Sequence, residues 1–333
     1  MNVSMWVKAL RVIPRLDKAE WNQLDFISKW LVSTRAAVLI MTFISAAIAG
    51  LLAARSGEFN FLRWLLLAVG LIFAHAINNL LNDLTDFKRG VDKDNYFRTQ
   101  YGPQPLEQGL MTQRELLTYA AVTGLIALAA GIPLVIQNGT LAFLLLLAGA
   151  FFVFFYTWPL KYIGLGELTV LLVWGPLMIG GGFFVITGHW DWNVVIASLP
   201  YALGVTTVIF GKHIDKLKED KAKGIHTLPV LLGEKTSRIV VLGMIAVEYL
   251  AVIYLVVTGF FSLWMLLALI GLQSMRQVWP IYKAAKPETC PEGYSKDTWP
   301  LYYVAASFVQ NRTFGLWFLA GLILDVGTRL IFR

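Results

Sequence analysis

The sequence contains little cysteine and little charge. A single cysteine, Cys290, permits no intrachain disulfide and no cysteine-based metal cluster. Charged residues make up 15% of the chain, against about 25% in an ordinary soluble protein. The histidines lack the close pairing typical of a zinc site, since they are scattered as His75, His189, His213 and His226. These deficits exclude a disulfide scaffold and argue against both a zinc protein and a soluble domain.

Apolar residues are abundant instead. The chain is 57% hydrophobic, and its apolar runs of about 18 to 22 residues are long enough to cross a hydrocarbon layer of about 30 Å as α-helices. We therefore predict an all-α, polytopic membrane protein with nine spans in one domain at 29–333. Residues 1–28 are predicted to form a cytoplasmic segment without a cleaved targeting peptide, with an interfacial helix near Trp6 and Leu10. The predicted spans are 36–54, 61–81, 116–136, 140–157, 168–187, 193–210, 237–258, 260–281 and 314–331.

Basic residues are distributed unevenly between the two sides of these spans. All but four of the 28 Lys and Arg residues fall on one side, and the exceptions are Arg55, Arg63, Arg329 and Arg333. The positive-inside rule predicts a cytoplasmic N-terminus and an outside C-terminus, in the plasma (inner) membrane. Topology thus explains the net charge of +7, and residues spread over five segments indicate no nucleic-acid partner.

A polar segment, NNLLNDLTDFKRGVD at 78–92, follows the second predicted span. Offsets of three and four residues share a helical face, so its polar residues form one stripe descending from His75. We expect this face to point into the bundle, because an ionised Asp in lipid costs about 2.5–3.5 kcal/mol at the bilayer centre. A helix that simply surfaces into the cytoplasm is the alternative, but it does not explain confinement to one face. The stripe contains Asn79, Asn82, Asp83 and Asp86, and Asp92 follows it.

A second charged segment, GKHIDKLKEDKAKGIHTLPVLLG at 211–233, follows the sixth span. Asp215 and Glu219 lie four residues apart and share a helical face, whereas Asp220 requires the helix to loosen or end. A solvated juxtamembrane helix with charge pairs four residues apart, touching anionic head groups, explains this segment equally well when it is taken alone.

Together the two segments indicate a magnesium site on the cytoplasmic side. Carboxylates brought together repel one another and require cations between them, and hard oxygen ligands with room for water and phosphate suit Mg²⁺. Basic residues could neutralise a bridging diphosphate. The predicted metal ligands are the carboxylates Asp83, Asp86, Asp92, Asp215, Glu219 and Asp220, and the predicted cations are Arg35, Lys88, Arg98, Lys161 and Lys212.

A membrane-soluble polyprenyl diphosphate suits such a site. Mg²⁺ and basic side chains would stabilise the charge that develops as the allylic carbon–oxygen bond breaks. A dry bundle would protect the allyl cation from water until a nucleophilic acceptor arrives, and the lipid bilayer would hold the long tail. Tyr156, near Lys161, is the best aromatic candidate to stabilise the cation, although FFVFFYTWP at 151–159 is equally typical of a lipid-facing run.

Three segments resemble a known family. NDLTDFKRGVD is similar to the first aspartate-rich motif, NDxxDFxxGxD, of the menaquinone-pathway branch of the UbiA superfamily of intramembrane prenyltransferases. GPQPLEQGLMTQREL at 102–116 and YTWPLKYIGLGELTVLLVWGP at 156–176 resemble the same branch. Nine spans agree with the family architecture, and the resemblance covers most of residues 29–331.

The resemblance implies a central cavity open to the cytoplasmic side, in which both acidic motifs bind Mg²⁺ and diphosphate and Asn82 joins the acids of the first motif as a ligand. Arg35 and Lys161 correspond to basic positions near the phosphates, and the implied acceptor is a small aromatic, 1,4-dihydroxy-2-naphthoate. The second motif departs from the usual DxxxD spacing, because Asp215 and Asp220 are five residues apart and Glu219 stands at the expected offset. Gly90, where some relatives have a third Asp, favours the menaquinone-like variant.

Other assignments stay open at the level of sequence. His75 either binds acceptor or ligand on the Asn79 face or is a buried histidine satisfied by a neighbouring helix, and His213 is a candidate for the base that removes the final ring proton. The same fold could serve another quinone precursor, a lipid glycerol phosphate or a terpene cyclase. A cation-coupled transporter fits less well, since the acids crowd one side of the spans.

Overall fold

The computed structural model describes residues 2–93, 100, 102–296 and 298–331, and all regular secondary structure in these ranges is helical. Within these described ranges, seven helices are long and apolar enough to cross a membrane. They are α4 (Ala36–Ser56), α5 (Phe61–Lys88), α6 (Gln113–Phe155), α7 (Gly166–Thr187), α8 (Trp192–Asp215), α11 (Glu234–Val257) and α13 (Tyr303–Ile331). The predicted all-α class is confirmed, whereas nine spans are not found in the described part of the chain.

The difference from nine has two physical causes. Helix α6 is 43 residues long, about 65 Å at 1.5 Å per residue, and Gly139 breaks it with φ 71° and ψ −150°. The break lies between two spans predicted separately, 116–136 and 140–157. The predicted span 260–281 is instead a 3₁₀ helix, Leu263–Ser274, followed by α12 (Met275–Lys283). Hydropathy identifies such an apolar stretch but cannot distinguish a 3₁₀ helix from an α-helix.

Short helices complete the chain. Three precede α4: α1 (Val3–Arg11), α2 (Lys18–Asn22) and α3 (Phe26–Ser33). Asp17 and Glu20 form a capping box on α2, and Asp25 caps α3 by accepting from the Ser28 N–H at 2.9 Å. Two more follow α8, namely α9 (Leu217–Ala222) and α10 (Leu228–Leu232). Helix α1 covers Trp6 and Leu10, where the sequence predicted a helix. Its interfacial location stays a prediction.

The chain divides into two compact units. Unit 1 contains Met1–Phe43 and Leu65–Pro159, and unit 2 contains Ile44–Trp64 and Leu160–Arg333. In unit 1, Leu31 and Val32 of α3 pack in one buried cluster with Ala76 of α5. A second cluster joins Leu80 and Leu84 of α5 to the start of α6. These contacts fix the polar face of α5 against the junction between α3 and α4.

Unit 2 is arranged around α8, which is buried along most of its length. Glycine allows its neighbours to approach closely: a Cβ on Gly204 would lie 2.5 Å from Glu248 Oε1 and 2.6 Å from Asn311 Oδ1. Glu248 and Gln310 are fully buried, and Gln310 Nε2 donates a hydrogen bond to Glu248 Oε2. The polar groups of α11 and α13 are thus packed directly against the α8 backbone.

Candidate functional site

The predicted polar stripe on α5 faces protein. His75, Asn79 and Asp83 recur every four residues, and all three are buried. His75 Nδ1 lies 2.7 Å from Thr42 Oγ1, and Asn79 Nδ2 donates to the Thr34 carbonyl at 2.8 Å. The stripe therefore binds the chain around the junction of α3 and α4, which confirms its direction into the protein. For His75, the structure shows the satisfied histidine that the sequence left as one alternative.

Arg35 occupies the break between α3 and α4. Among the described residues, it is the one non-glycine residue with φ in the left-handed region, at 54°. Such backbone costs about 1–3 kcal/mol and persists only where the surroundings enforce it. Asn79 holds the preceding carbonyl, and the Arg35 guanidinium donates through Nη2 to Asp83 Oδ1. The strained junction thus delivers a buried cation to a buried carboxylate of the first acidic motif.

The other amides of α5 face the end of α6. Asn78 Nδ2 donates to the Val153 carbonyl at 2.9 Å, and Asn82 Nδ2 donates to Thr157 Oγ1 at 3.0 Å. Asn82 is therefore turned toward a different neighbour than Asn79 and Asp83. The predicted single stripe is in fact two adjacent stripes on one helix.

Gly90 explains how the first motif continues past its helix. Helix α5 ends in a turn in which the Val91 N–H bonds to the Asp86 carbonyl at 2.9 Å and the Gly90 N–H to the Phe87 carbonyl at 3.0 Å. This Schellman pattern requires a left-handed residue, and Gly90 has φ 66°. Beyond the turn, Asp92 is buried and accepts a long hydrogen bond, 3.5 Å, from Gln104 Nε2. Glycine here serves the turn that allows Asp92 to be buried.

The donor chemistry of the first motif fits Mg²⁺. Asp83, Asp86 and Asp92 are buried carboxylates, and the half-buried Asn82 adds an amide oxygen to a set of hard ligands. In the described ranges, however, no three His, Cys, Asp or Glu side chains come together as a group able to hold a metal ion. The ligand set stays a prediction, as does the sharing of one diphosphate by both acidic motifs.

Asp215 of the second motif has a structural role that the sequence did not reveal. Its carboxylate accepts backbone N–H hydrogen bonds from Tyr302, Tyr303 and Val304 at 3.0–3.1 Å, at the beginning of α13. It also accepts from Lys286 Nζ at 3.1 Å. Each oxygen accepts two of these four hydrogen bonds. Asp215 thus stabilises the N-terminus of a long helix, where orphan N–H groups need acceptors.

Lys286 is itself held in place by the segment before α13. Its ammonium donates to the Pro300 carbonyl at 2.6 Å and lies 5.4 Å from the centre of the Trp299 ring. Tyr294 closes the same segment by donating to the Leu301 carbonyl at 2.7 Å. Burial, with the Asp215 charge as a second cause, raises the pKa of Tyr294 to about 12, so this hydroxyl stays a donor.

The rest of the second motif is paired as well. Lys216 Nζ lies 3.0 Å from Asp220 Oδ1, and both residues are buried. Glu219, at the offset expected from the family pattern, is only half-buried. Helix α8 ends at Asp215 and α9 begins at Leu217. The helix is thus interrupted between Asp215 and Asp220, as their five-residue spacing led us to expect.

His213 forms a buried pair with Glu167. Its Nδ1 lies 2.6 Å from Glu167 Oε1, and the second Glu167 oxygen accepts from the Leu228 N–H at 3.3 Å. Both side chains are nearly inaccessible. A carboxylate on one ring nitrogen fixes the orientation of the ring and leaves Nε2 for proton transfer. This arrangement fits the predicted role of His213 as a base, which stays a prediction.

The remaining predicted residues differ in burial. Lys161 is buried, with Nζ 5.7 Å from the centre of the Tyr162 ring. Lys212 and Tyr156 are half-buried, whereas Lys88 is exposed at the end of α5 and does not belong to the buried polar face. Arg98 lies outside the described residues.

Sequence reasoning missed Glu167, Lys286 and Thr157. Glu167 carried a signal, because it is the one acid in the apolar stretch 164–187. Lys286 and Thr157 had none, since their partners lie about 70 residues away in the sequence.

Comparison with known proteins adds a family and a fold. The profile of the UbiA prenyltransferase family matches residues 43–294. A 1,4-dihydroxy-2-naphthoate octaprenyltransferase from Bacillus subtilis (strain 168) is 25% identical over 88% of this chain and 90% of its own length. A digeranylgeranylglyceryl phosphate synthase from Haloquadratum walsbyi is 26% identical over 84% of this chain and 92% of its own.

A solved structure supports the same architecture. The UbiA homolog from Archaeoglobus fulgidus bound to GPP and Mg²⁺ has a TM-score of 0.60 and 17% identity, with 88% of this chain and 99% of that chain covered. At this identity the similarity establishes the fold alone.

Proposed function

Since the chain belongs to the UbiA prenyltransferase family and is therefore a prenyltransferase, we propose that it transfers a polyprenyl group from a Mg²⁺-bound polyprenyl diphosphate to 1,4-dihydroxy-2-naphthoate. This reaction would place the protein in menaquinone biosynthesis. The proposed site faces the cytoplasm, as the distribution of Lys and Arg predicts, with the N-terminus on that side and the C-terminus outside.

The observation that carries the proposal is the buried pair of Arg35 and Asp83, with Asp86 and Asp92 buried in the same motif. Buried charge is costly, and a strained backbone at Arg35 adds to that cost, so the arrangement points to function. Its ligands match the chemistry of a magnesium–diphosphate complex: carboxylate oxygens for the metal and a guanidinium for phosphate oxygens.

The assigned roles follow from these groups. Asn82, Asp83, Asp86 and Asp92 would hold Mg²⁺, which neutralises the leaving diphosphate when bound. Arg35 and Lys161 would bind phosphate oxygens, and Asn79 is a positioning residue for Arg35. His213, oriented by Glu167, would accept the ring proton from the prenylated carbon and return it to the carbon that releases CO₂, so that the ring has no net loss of a proton.

The acceptor has one serious alternative. The Bacillus relative is named for 1,4-dihydroxy-2-naphthoate, and the Haloquadratum relative for a glyceryl phosphate product. The first motif favours the aromatic acceptor, because NDLTDFKRGVD resembles the menaquinone-pathway pattern. A lipid glycerol phosphate is the second candidate.

One experiment separates the candidates. The purified protein in liposomes is incubated with Mg²⁺, a series of polyprenyl diphosphates, and either 1,4-dihydroxy-2-naphthoate, geranylgeranylglyceryl phosphate or no acceptor, and products are identified by mass. We expect a prenylated naphthol that has lost the carboxylate. A prenylated glyceryl phosphate would establish the alternative acceptor, and a hydrocarbon formed without acceptor would establish a cyclase.

Variants connect the product to the site. Asp86→Asn should abolish product formation, whereas Asp191→Asn, at the N-cap of α8, should preserve it. Full turnover by Asp86→Asn in a folded protein would contradict the proposal.

A further inference from the structure

The first acidic motif offers three buried carboxylates, Asp83, Asp86 and Asp92, whereas the second offers two, Asp215 and Asp220, each paired with a lysine. We propose that residues 215–220 bind no divalent cation and that Lys216 supplies the positive charge there instead. This inference rests on the proposed function in one respect: the proposed function is the reason to expect Mg²⁺ at the motif. It reassigns Asp215, Glu219 and Asp220, the three acids predicted to hold metal.

Asp215 is fully engaged by the protein. Three consecutive backbone N–H groups, from Tyr302 to Val304, and the Lys286 ammonium donate to its two oxygens. A carboxylate offers about four lone-pair sites, so this set satisfies them. Metal binding would require breaking hydrogen bonds that stabilise the beginning of α13, and Lys286 already neutralises the charge.

Asp220 carries a built-in cation. Lys216 Nζ contacts its Oδ1 at 3.0 Å, and the two side chains are 5% and 2% exposed. In a DxxxD pair that ends at Asp220, the first acid would stand at position 216, where this chain has Lys216. The lysine therefore stands at the very position from which a second carboxylate would complete a metal site.

The electrostatics of the pair disfavour a divalent ion. One oxygen, Asp220 Oδ2, is buried and makes no hydrogen bond in the described chain. A divalent cation bound to it would be repelled by the adjacent ammonium, and burial strengthens that repulsion. Mg²⁺ is usually bound through one or two carboxylates with water completing its octahedral shell, and the acid of this motif that remains, Glu219, is only half-buried. Lys216 thus does for Asp220 what a metal ion does in an all-acid motif.

The proposal predicts a gain of metal binding in one variant. Lys216→Asp creates an acidic pair four residues apart with Asp220 and removes the competing ammonium. Protein-bound Mn²⁺ is counted by equilibrium dialysis, with and without inorganic pyrophosphate. We expect Lys216→Asp to bind one Mn²⁺ more than the wild-type protein. The matched control Lys216→Asp/Asp220→Lys reverses the ion pair without creating two acids, and should bind as the wild type does.

Variants that remove one carboxylate charge test the same proposal without creating a new metal site. Asp220→Asn and Asp215→Asn should bind as much Mn²⁺ as the wild type, while Asp215→Asn unfolds at a lower temperature because α13 loses its cap. Fewer Mn²⁺ in either variant, or no additional Mn²⁺ in a folded Lys216→Asp, would overturn the proposal. If Lys216→Asp does not fold, the number of Mn²⁺ ions bound by Asp220→Asn decides whether the proposal holds. Mn²⁺ is counted without donor or acceptor, so failure of prenyl transfer leaves this result unaffected.

Discussion

Asn79 on α5 donates to the Thr34 carbonyl at 2.8 Å, immediately before the left-handed Arg35. One turn later on the same face, Asp83 accepts from the Arg35 guanidinium. Two residues of one helical stripe therefore hold the backbone and the side chain of the same strained junction. The backbone conformation at Arg35 therefore determines where its positive charge lies in the proposed site.

Replacing Asn79 should impair the site through Arg35. Asn79→Ala leaves the buried Thr34 carbonyl without its donor, which costs about 1–3 kcal/mol of folding stability. We expect kcat/KM for the diphosphate to fall, because Arg35 loses a contact that holds its backbone in place. Asn78→Ala is the matched control, because Asn78 binds the Val153 carbonyl instead. Steady-state kinetics check the prediction, and an equal loss in both variants would contradict it.

His213 and Glu167 should act as one unit. Because the bond between Nδ1 and Oε1 joins them, the effects of Glu167→Gln and His213→Gln on kcat/KM should be non-additive by about 0.5–3 kcal/mol. His189 and Glu58 provide a control cycle, since His189 Nδ1 lies 3.3 Å from Glu58 Oε2 and both side chains are about half exposed. Additive losses at Glu167 and His213, within about 0.5 kcal/mol, would argue against coupling.

Gly204 should be sensitive to a single methyl group. Gly204→Ala places a Cβ within 2.6 Å of both Glu248 Oε1 and Asn311 Oδ1, and such overpacking destabilises by about 1–3 kcal/mol. Gly243→Ala, in α11 of the same unit, meets nothing within 4 Å and should be neutral or stabilising. Thermal unfolding in detergent measures both variants. Equal unfolding temperatures for Gly204→Ala and the wild type would show that α8 has room to move.

The N-terminal helix should detach in acid. The Ser28 N–H holds the pKa of Asp25 well below its usual range, and further hydrogen bonds from the Asn2 N–H and Trp6 Nε1 tie α1 to Asp25. Because the folded pKa is depressed, this stabilisation is present above about pH 4 and is lost as the pH falls through the folded value.

Trp6 contributes to a fluorescence signal for this transition. A change below about pH 4 should disappear in Asp25→Asn and persist in the control Asp17→Asn, which removes the cap of α2 instead. A transition that is unchanged in Asp25→Asn would exclude Asp25 as its origin.

Much of the membrane architecture was predictable, because apolar length is a local property of the sequence. The sequence also predicted the buried face of α5, since offsets of three and four residues define a face on any helix. The break in α6 at Gly139 lies in the gap between the predicted spans 116–136 and 140–157, whereas the 3₁₀ helix Leu263–Ser274 was not predicted, because hydropathy does not distinguish helix types.

The second motif was less predictable for a different physical reason. Asp215 is bound by residues 87 to 89 positions later in the sequence, and nothing in its neighbourhood indicates that partner. In the sequence alone, an acidic residue near a lysine-rich segment is equally compatible with a metal ligand, a helix cap or one partner of an ion pair. Only the contacts of the folded chain distinguish these roles: Asp215 caps a helix that is distant in the sequence, whereas Asp220 pairs with Lys216 four residues away.

Equilibrium binding of an unreactive polyprenyl thiolodiphosphate to the purified protein, with and without Mg²⁺, tests most directly whether the α5 carboxylates hold a magnesium–diphosphate complex. We predict that binding requires Mg²⁺ and is unchanged in Asp191→Asn. It should weaken at least about tenfold, or about 1.4 kcal/mol, in Asp86→Asn and in Arg35→Gln. Equally tight binding without Mg²⁺, or undiminished binding by Asp86→Asn, would contradict the assignment of the α5 carboxylates to a magnesium–diphosphate site.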